Sequence, residues 1–295
     1  MKEKSAMITI AGRPNVGKST LINALVGEKI AIVSHKPQTT RNRIYGIVNR
    51  GETQFVFLDT PGFHKPRTRL GDYMVDVVSR SVADVDAVML LVEPIASIGP
   101  QEQGLIDQLR AAKMPAILVI NKIDTVEKEA LLEVIALYSA QYDFDAVLPI
   151  SAKNKEGIDM VMAECEKYAI EGPQFFPADM ITDQPERQIA AEIIREKMLW
   201  CLEREIPHGT AVEITRFAER ENGILDIDAT IYCEKASHKG IIIGKQGAML
   251  KKISSMARAD CERFFGTKVF LQTWIKVKEN WRDSQFFIRN FGYTE

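Results

Sequence analysis

The sequence predicts an α/β protein, a doubly wound sheet followed by a smaller α+β domain. Its 295 residues are enough for two domains. Strand-like and helix-like segments alternate through residues 1–172, which is typical of a doubly wound sheet. Residues 173–186 then carry three prolines and indicate a linker. Beyond it a helix precedes two neighbouring strands, so the order of elements changes and residues 187–295 are predicted to form a second domain.

The alternation in the first domain defines its elements. The predicted strands are residues 7–11, 44–48, 53–58, 87–92, 116–120 and 146–150. The predicted helices are residues 18–26, 74–85, 102–112, 127–142 and 158–169. Several strands are continuously apolar, as expected of parallel strands that are buried on both faces. Ligands of such sheets bind beyond the carboxyl ends of the strands, so the loops there are the place to look for a site.

Composition is that of an ordinary globular protein, with 46% hydrophobic and 26% charged residues. The net charge of −2 gives no indication of a nucleic-acid or membrane partner for the chain as a whole. No apolar run reaches the roughly 18 residues needed to span a bilayer, and the N-terminus does not resemble a secretory signal. The four cysteines and four histidines are widely spaced, which favours reduced thiols in a cytosolic compartment over disulfides or a zinc site.

A phosphate-binding loop is predicted after the first strand, where the sequence fits Gly, four residues, Gly-Lys-Ser. A glycine-rich loop that enters a helix points its N–H groups at one spot, and the helix dipole favours an anion there. Lys18 would reach the β- and γ-phosphates, and the Ser19 hydroxyl would ligate Mg²⁺. The residues expected to bind nucleotide here are Gly12, Arg13, Pro14, Asn15, Val16, Gly17, Lys18, Ser19 and Thr20.

Three further motifs follow later strands. Asp59 can hold Mg²⁺ through a water, and Gly62 lets its N–H approach the γ-phosphate. The Asp124 carboxylate can accept two hydrogen bonds from guanine, from N1–H and the exocyclic amine, whereas adenine offers no such pair. The backbone of residues 151–153 could donate to the guanine O6. The additional nucleotide-binding residues are Asp59, Thr60, Pro61, Gly62, Phe63, Asn121, Lys122, Asp124, Ser151, Ala152 and Lys153.

The second domain is predicted to contain a helix from residue 189 to about 205, strands 211–217 and 225–233 joined as a hairpin, a short helix, a Gly-x-x-Gly loop, helix 248–265 and strand 269–277. Residues 235–278 carry ten basic residues against two acidic ones. This charge indicates an RNA-binding face; an ordinary solvated face is the alternative. The predicted RNA contacts are Lys235, His238, Lys239, Gly244, Lys245, Gln246, Gly247, Lys251 and Lys252.

The order and spacing of the nucleotide motifs resemble those of P-loop GTPases, the second domain resembles a type II KH domain, and the whole chain resembles the Era family. The resemblance implies a GTP-hydrolysing switch that binds 16S ribosomal RNA near its 3′ end and acts in assembly of the 30S subunit. It also implies a monomer in the cytoplasm, with some family members attached peripherally to the inner membrane. The KH loop would clamp single-stranded RNA, since glycines let the RNA backbone approach closely.

The resemblance also assigns roles in catalysis. A threonine of the first switch ligates Mg²⁺, and the resemblance assigns Thr40, with Thr39 as the alternative; the expected metal set is Ser19, Thr40 and Asp59. Phe63 stands where many GTPases carry a glutamine, and its ring cannot polarise water. The hypothesis is therefore that Asn15 supports K⁺-stimulated hydrolysis on a slow intrinsic rate. The expected catalytic residues are Lys18, Thr40, Gly62 and Asn15.

Two other functions are compatible with parts of the sequence. The first is a P-loop ATPase acting on RNA, against which the 121–124 motif argues because it suits guanine. The second is an RNA-binding module in which the nucleotide is structural. Intact Lys18, Ser19 and Asp59 argue against that module, because these residues serve phosphate and metal chemistry.

Overall fold

The computed structural model describes residues 3–36, 38–61, 69–70 and 85–293. These residues form two compact units. The first draws its residues from Met1–Ala31, Thr40–Pro66 and Gly71–Asp183. The second draws its residues from Ile32–Thr39, Arg67–Leu70 and Gln184–Glu295. Residues 32–39 thus belong with the second unit, although the chain reaches them from the first.

The first unit is built on one mainly parallel sheet. Its strands are β1 (Lys4–Ala11), β2 (Ile44–Arg50), β3 (Thr53–Asp59), β4 (Ala87–Val92), β5 (Ala116–Ile120), β6 (Ala146–Pro149) and β7 (Ile170–Glu171). The strand order is β2-β3-β1-β4-β5-β6, and β7 pairs with β1. β2 is antiparallel to β3 and β7 is antiparallel to β1, whereas the remaining pairs are parallel. Every residue of β4 and β5 is buried, as their continuously apolar sequences predict.

Helices cover both faces of this sheet. They are α1 (Lys18–Val26), α2 (Pro100–Ala112), α3 (Lys128–Ser139) and α4 (Ile158–Cys165). One apolar cluster joins the sheet to α1 and α4, and another joins it to α2 and α3, which confirms the doubly wound fold. The predicted helix 74–85 lies almost entirely outside the described residues. The predicted helix 158–169 is too long, because a 3₁₀ turn follows α4 and residues 170–171 pair with the start of β1.

The second unit has the predicted α+β order. Its elements are α5 (Glu186–Cys201), β8 (Thr210–Glu219), β9 (Leu225–Cys233), α6 (Ala236–Ile243), α7 (Ala248–Phe265), β10 (Val269–Val277) and α8 (Gln285–Asn290). The sheet order is β10-β9-β8, with β10 parallel and β8 antiparallel to β9. α5 ends at Cys201 rather than near residue 205, because Leu202 takes extended backbone angles and is only 1% exposed in the core.

The predicted linker is tied to the first unit. Gln54 Oε1 accepts the N–H groups of Phe175 and Phe176 at 2.8 and 2.9 Å. The ring of Phe176 lies 5.7 Å from that of Tyr45. At the other end of the chain, Trp281 is fully buried and donates its indole N–H to the Gly209 carbonyl at 2.9 Å. The aromatic residues of this tail therefore serve mainly in packing.

In the structure Cys165, Cys201, Cys233 and Cys261 take part in no disulfide bond. Among the described residues no group of histidine, cysteine or carboxylate side chains is arranged to hold a metal ion on its own. The helices in this part of the chain include none with the length and apolar character required to cross a bilayer.

Candidate nucleotide site and RNA interface

The loops expected to bind nucleotide meet at one edge of the first sheet. The neighbouring parallel strands β1, β4 and β5 end at Ala11, Val92 and Ile120. Because the carboxyl ends of parallel strands lie at the same edge, the loops that begin at Gly12 and Asn121 lie close together.

The backbone of the phosphate loop requires its two glycines. A Cβ on Gly12 would lie 2.5 Å from the Leu91 carbonyl oxygen, and one on Gly17 would lie 2.3 Å from Asn121 Nδ2. Gly17 also has φ 105° and is the N-cap of α1. Asn15 has φ 67°, a conformation that asparagine adopts more readily than most residues. The loop therefore leads directly into the N-terminus of α1, the arrangement that favours binding of an anion.

Lys18 lies buried beside this loop, with 6% of its surface exposed. Its Nζ donates to the carbonyls of Gly12 and Arg13 at 3.1 and 3.0 Å. Burial lowers the pKa of Lys18 to about 8, and nearby Asp59 opposes this shift. A buried ammonium held mainly by neutral carbonyls gains strongly from a phosphate, which would restore its ordinary pKa.

The three residues expected to hold Mg²⁺ converge in the structure. Ser19 Oγ donates to Asp59 Oδ2 at 2.7 Å and lies 2.8 Å from Thr40 Oγ1. Thr40 Oγ1 in turn donates to Asp59 Oδ2 at 3.3 Å. Asp59 is fully buried, and its Oδ1 has no hydrogen-bond partner within the described ranges. Burial raises the pKa of Asp59 despite the neighbouring Lys18 ammonium and hydroxyl donors, so a bound cation would stabilise the ionised carboxylate.

These oxygen donors fit a magnesium ion. Mg²⁺ prefers carboxylate and hydroxyl oxygens together with substrate phosphates, and when bound it would neutralise charge on a triphosphate. The alternative ligand Thr39 is turned away, because its Oγ1 donates to the Lys36 carbonyl at 2.6 Å. The geometry therefore favours Thr40 over Thr39.

Asn121 joins the phosphate loop to the base-binding loops. Its Nδ2 donates to the Val16 carbonyl at 2.8 Å, and its Oδ1 accepts the Ala152 N–H at 2.9 Å. Asp124 is exposed, and its Oδ1 accepts the Ser151 hydroxyl at 2.6 Å. The structure thus gives Asn121 a bracing role and leaves the Asp124 carboxylate open toward solvent, where a base can reach it.

The other predicted nucleotide residues are placed as follows. Val16 is fully buried in the core, and Thr60 Oγ1 donates to the Ile10 carbonyl at 3.2 Å, so both side chains support the fold. Pro14 and Thr20 are half-buried, Pro61 is buried and Lys153 is exposed. Gly62 and Phe63 lie outside the described residues.

Sequence reasoning missed two carboxylates at this site. Arg13 Nη2 lies 2.5 Å from Glu93 Oε2, and Arg13 Nε lies 3.1 Å from Glu102 Oε1. Glu93 Oε1 also accepts Lys122 Nζ at 2.5 Å. The available signal was position: Glu93 is the first polar residue after the apolar β4, at the edge where ligands of such sheets bind.

The Gly-x-x-Gly loop joins α6 to α7 in the second unit. Gly244, Gln246 and Gly247 have φ of 71°, 51° and 79°. A Cβ on Gly244 would lie 2.7 Å from the Met249 Cβ, whereas one on Gly247 would meet nothing within 4 Å. The first glycine therefore serves packing, and the second leaves open space in front of the loop.

Positive charge is concentrated around this loop. Lys235 occupies the N-cap position of α6, and Lys245 lies within the loop. Lys251 and Lys252 are exposed on the first turns of α7, and His238 and Lys239 are half-buried on α6. In the part of the chain that the structure describes, no ion pair involves the five predicted lysines. The two acidic residues of α7 have other partners: Asp260 pairs with Lys197 and Arg263, and Glu262 pairs with Arg258.

Comparison with known proteins identifies the family. Residues 7–122 match the family described as "50S ribosome-binding GTPase", and residues 205–282 match the family described as "KH domain". The GTPase Era of Ruminiclostridium cellulolyticum is 54% identical over 293 residues, which span 99% of this chain and 98% of that protein. This chain belongs to the Era family. The Era of Clostridioides difficile is 50% identical over 294 residues, 99% of each chain.

Solved Era structures share the fold over the whole chain. An Era protein in complex with MgGDPNP and nucleotides 1506–1542 of 16S ribosomal RNA superposes with a TM-score of 0.94 at 36% identity, covering 99% of this chain and 100% of that one. An Aquifex aeolicus Era variant bound to GDP and aluminium fluoride gives the same values. The predicted GTPase and KH folds are confirmed, and as an Era protein the chain is a GTPase.

Proposed function

We propose that this GTPase binds small-subunit ribosomal RNA near its 3′ end during assembly of the 30S subunit. A GTPase domain, residues 1–172, would govern RNA binding by a KH domain, residues 187–295. The solved Era complex with 16S ribosomal RNA supports this partner, because its fold covers 99% of this chain. The lysine-rich loop between α6 and α7 is suited to single-stranded RNA.

One observation carries the proposed control by GTP. Residues 32–39, the segment before the proposed Mg²⁺ ligand Thr40, belong to the second unit and contact α5. The Val33 N–H donates to Glu196 Oε1 at 2.9 Å, and the Val33 carbonyl accepts the Trp200 indole N–H at 2.9 Å. Arg195 Nη2 donates to the carbonyl of Thr39.

These contacts link the state of Thr40 to a helix of the KH domain. With GTP and Mg²⁺ bound, Thr40 would be held at the metal and would fix the chain that precedes it. Loss of the γ-phosphate would release Thr40, and the contacts of residues 32–39 with α5 would then change. RNA affinity would then depend on nucleotide, because GTP and GDP favour different arrangements of this segment.

The test is RNA binding in three nucleotide states. For the full chain we expect the affinity for a 3′-terminal 16S RNA oligonucleotide to differ at least about tenfold between GTP analogue and GDP, a typical coupling. In Arg195→Met the ratio should approach one, because the Thr39 carbonyl loses its donor. Fluorescence anisotropy measures both.

Arg187→Met is the matched control, because Arg187 lies on the same helix and donates to Ile214 instead of residues 32–39. It should keep the wild-type ratio. Equal RNA affinity in all states of the wild-type chain would refute the switch and leave RNA binding standing. Sedimentation with 50S rather than 30S subunits would refute the proposed partner.

We also propose that hydrolysis is slow and stimulated by K⁺ held near Asn15. Asn15 is exposed in the phosphate loop, where a cation would offset transition-state charge. GTP turnover should be at least about tenfold faster in K⁺ than in Na⁺ buffer. Asn15→Gly should abolish the difference, since glycine keeps the φ of 67° but lacks the amide. Equal turnover in both buffers would contradict K⁺ stimulation.

We propose that the protein acts on ribosomal subunits in the cytoplasm and that any association with the inner membrane is peripheral. Fractionation of cells should find the protein with ribosomal particles, and salt should extract any that is found with membranes.

A further inference from the structure

Glu93 stands between two cations of the nucleotide site because of the strand order. β4 lies between β1 and β5 in the sheet. The residue after β4 is Glu93, whereas Arg13 follows β1 by two residues and Lys122 follows β5 by two residues. The carboxylate of the middle strand is therefore flanked by a cation from each side.

The contacts divide evenly between the two carboxylate oxygens. Oε2 lies 2.5 Å from Arg13 Nη2, and Oε1 lies 2.5 Å from Lys122 Nζ. The side chain of Glu93 is 22% exposed. Burial acts to raise the pKa of Glu93, but the hydrogen bonds and charges of Lys122 and Arg13 outweigh it and hold the pKa below its usual range. The carboxylate is thus ionised and fully engaged by the two loops.

Lys122 extends this connection to the far side of the phosphate loop. Its Nζ also donates to the Asn15 carbonyl at 2.7 Å. Both residues have left-handed backbones, with φ of 65° at Lys122 and 67° at Asn15. Such conformations persist where surrounding contacts hold them. The hydrogen bond from Lys122 Nζ to the Asn15 carbonyl joins these two residues, and Glu93 binds the same ammonium.

We propose that Glu93 is a positioning residue that fixes the phosphate loop and the base-reading loop to each other. It holds the Arg13 guanidinium at the end of β4 and keeps the Lys122 ammonium at the Asn15 carbonyl. The base and the phosphates then bind to one rigid site, which slows nucleotide dissociation. Glu93 acts through Arg13 and Lys122 and does not itself touch the nucleotide.

The test is the dissociation of fluorescent GDP from the full chain with Mg²⁺ present. Glu93→Gln should release GDP about tenfold faster, the effect of one lost charged hydrogen bond. The turnover rate at saturating GTP should stay within about twofold, because Lys18 and the metal residues are untouched. A positioning role therefore appears in nucleotide retention and the KM, and a catalytic role would appear in kcat.

Glu164→Gln is the matched control, because it makes the same change in another carboxylate that is paired with a lysine. Glu164 lies near the end of α4 and pairs with Lys167, away from the nucleotide loops. It should release GDP at the wild-type rate. In a Lys122→Gln background, Glu93→Gln should add less than about threefold, because two residues that act together are not additive. A wild-type release rate in Glu93→Gln, or its full effect in the Lys122→Gln background, would overturn the proposal.

Discussion

Asp124→Asn should lower GTP affinity by about 1,000-fold and create a preference for xanthosine triphosphate, since a site built for particular hydrogen bonds strongly rejects a mismatched partner. The Asp124 carboxylate would accept two hydrogen bonds from guanine. An asparagine amide would present its own hydrogens to those donors, whereas xanthine offers it an oxygen. Competition between GTP and xanthosine triphosphate for a fluorescent nucleotide measures the exchange.

Ser151→Ala serves as the control for this change. It removes the hydroxyl that donates to Asp124 at 2.6 Å but keeps the carboxylate. We expect a loss in GTP affinity of about fivefold, typical of one hydrogen bond, with no new preference for xanthosine. If the Asp124→Asn protein still preferred GTP, Asp124 would not be the residue that recognises the base. The alternative of a P-loop ATPase would then have to be considered again.

Gly247→Asp should weaken binding of single-stranded RNA by about 100-fold, or roughly 3 kcal/mol, because a carboxylate would then face the RNA phosphates at close range. A Cβ at Gly247 meets nothing within 4 Å, and the φ of 79° is one that aspartate and asparagine adopt more readily than other side chains. Gly244 is a poorer test site, since its Cβ would press on Met249 and disturb α7. Binding at low salt to an oligonucleotide measures the loss.

Gly247→Asn is the matched control, because it has the same shape without the charge and tolerates the φ of 79°. It should cost about threefold in affinity, in the range of a small steric effect. If both variants lost affinity equally, the backbone conformation of the loop rather than its electrostatics would control RNA binding.

Much of the fold could be predicted because the local signals agree with one another. β4 and β5 are continuously apolar, and their bounds were predicted without error. α1 lies between Gly17 and Gly27, and α7 lies between Gly247 and Gly266, so glycines mark both ends of each helix. Nucleotide motifs at strand ends also identify the site, because parallel topology brings those ends together.

The rest depended on neighbours that sequence spacing does not reveal. Charged side chains on a helix are expected to face solvent, yet Arg195, Glu196 and Lys197 of α5 are each at most 1% exposed. Their partners come from residues 32–39 and from Asp260 of α7, which lie far away in sequence. Glu93 was missed for the same reason, since its two cations come from the strands on either side.

The burial of this charged triplet on α5 has a consequence for dissecting the molecule. A fragment that starts at residue 184 would omit residues 32–39, and with them the backbone groups that satisfy Arg195, Glu196 and Trp200. A buried charged side chain that has lost its partner lowers the free energy of unfolding. An excised RNA-binding fragment would therefore be less stable than the same residues in the intact chain. Its measured RNA affinity would underestimate that of the whole protein.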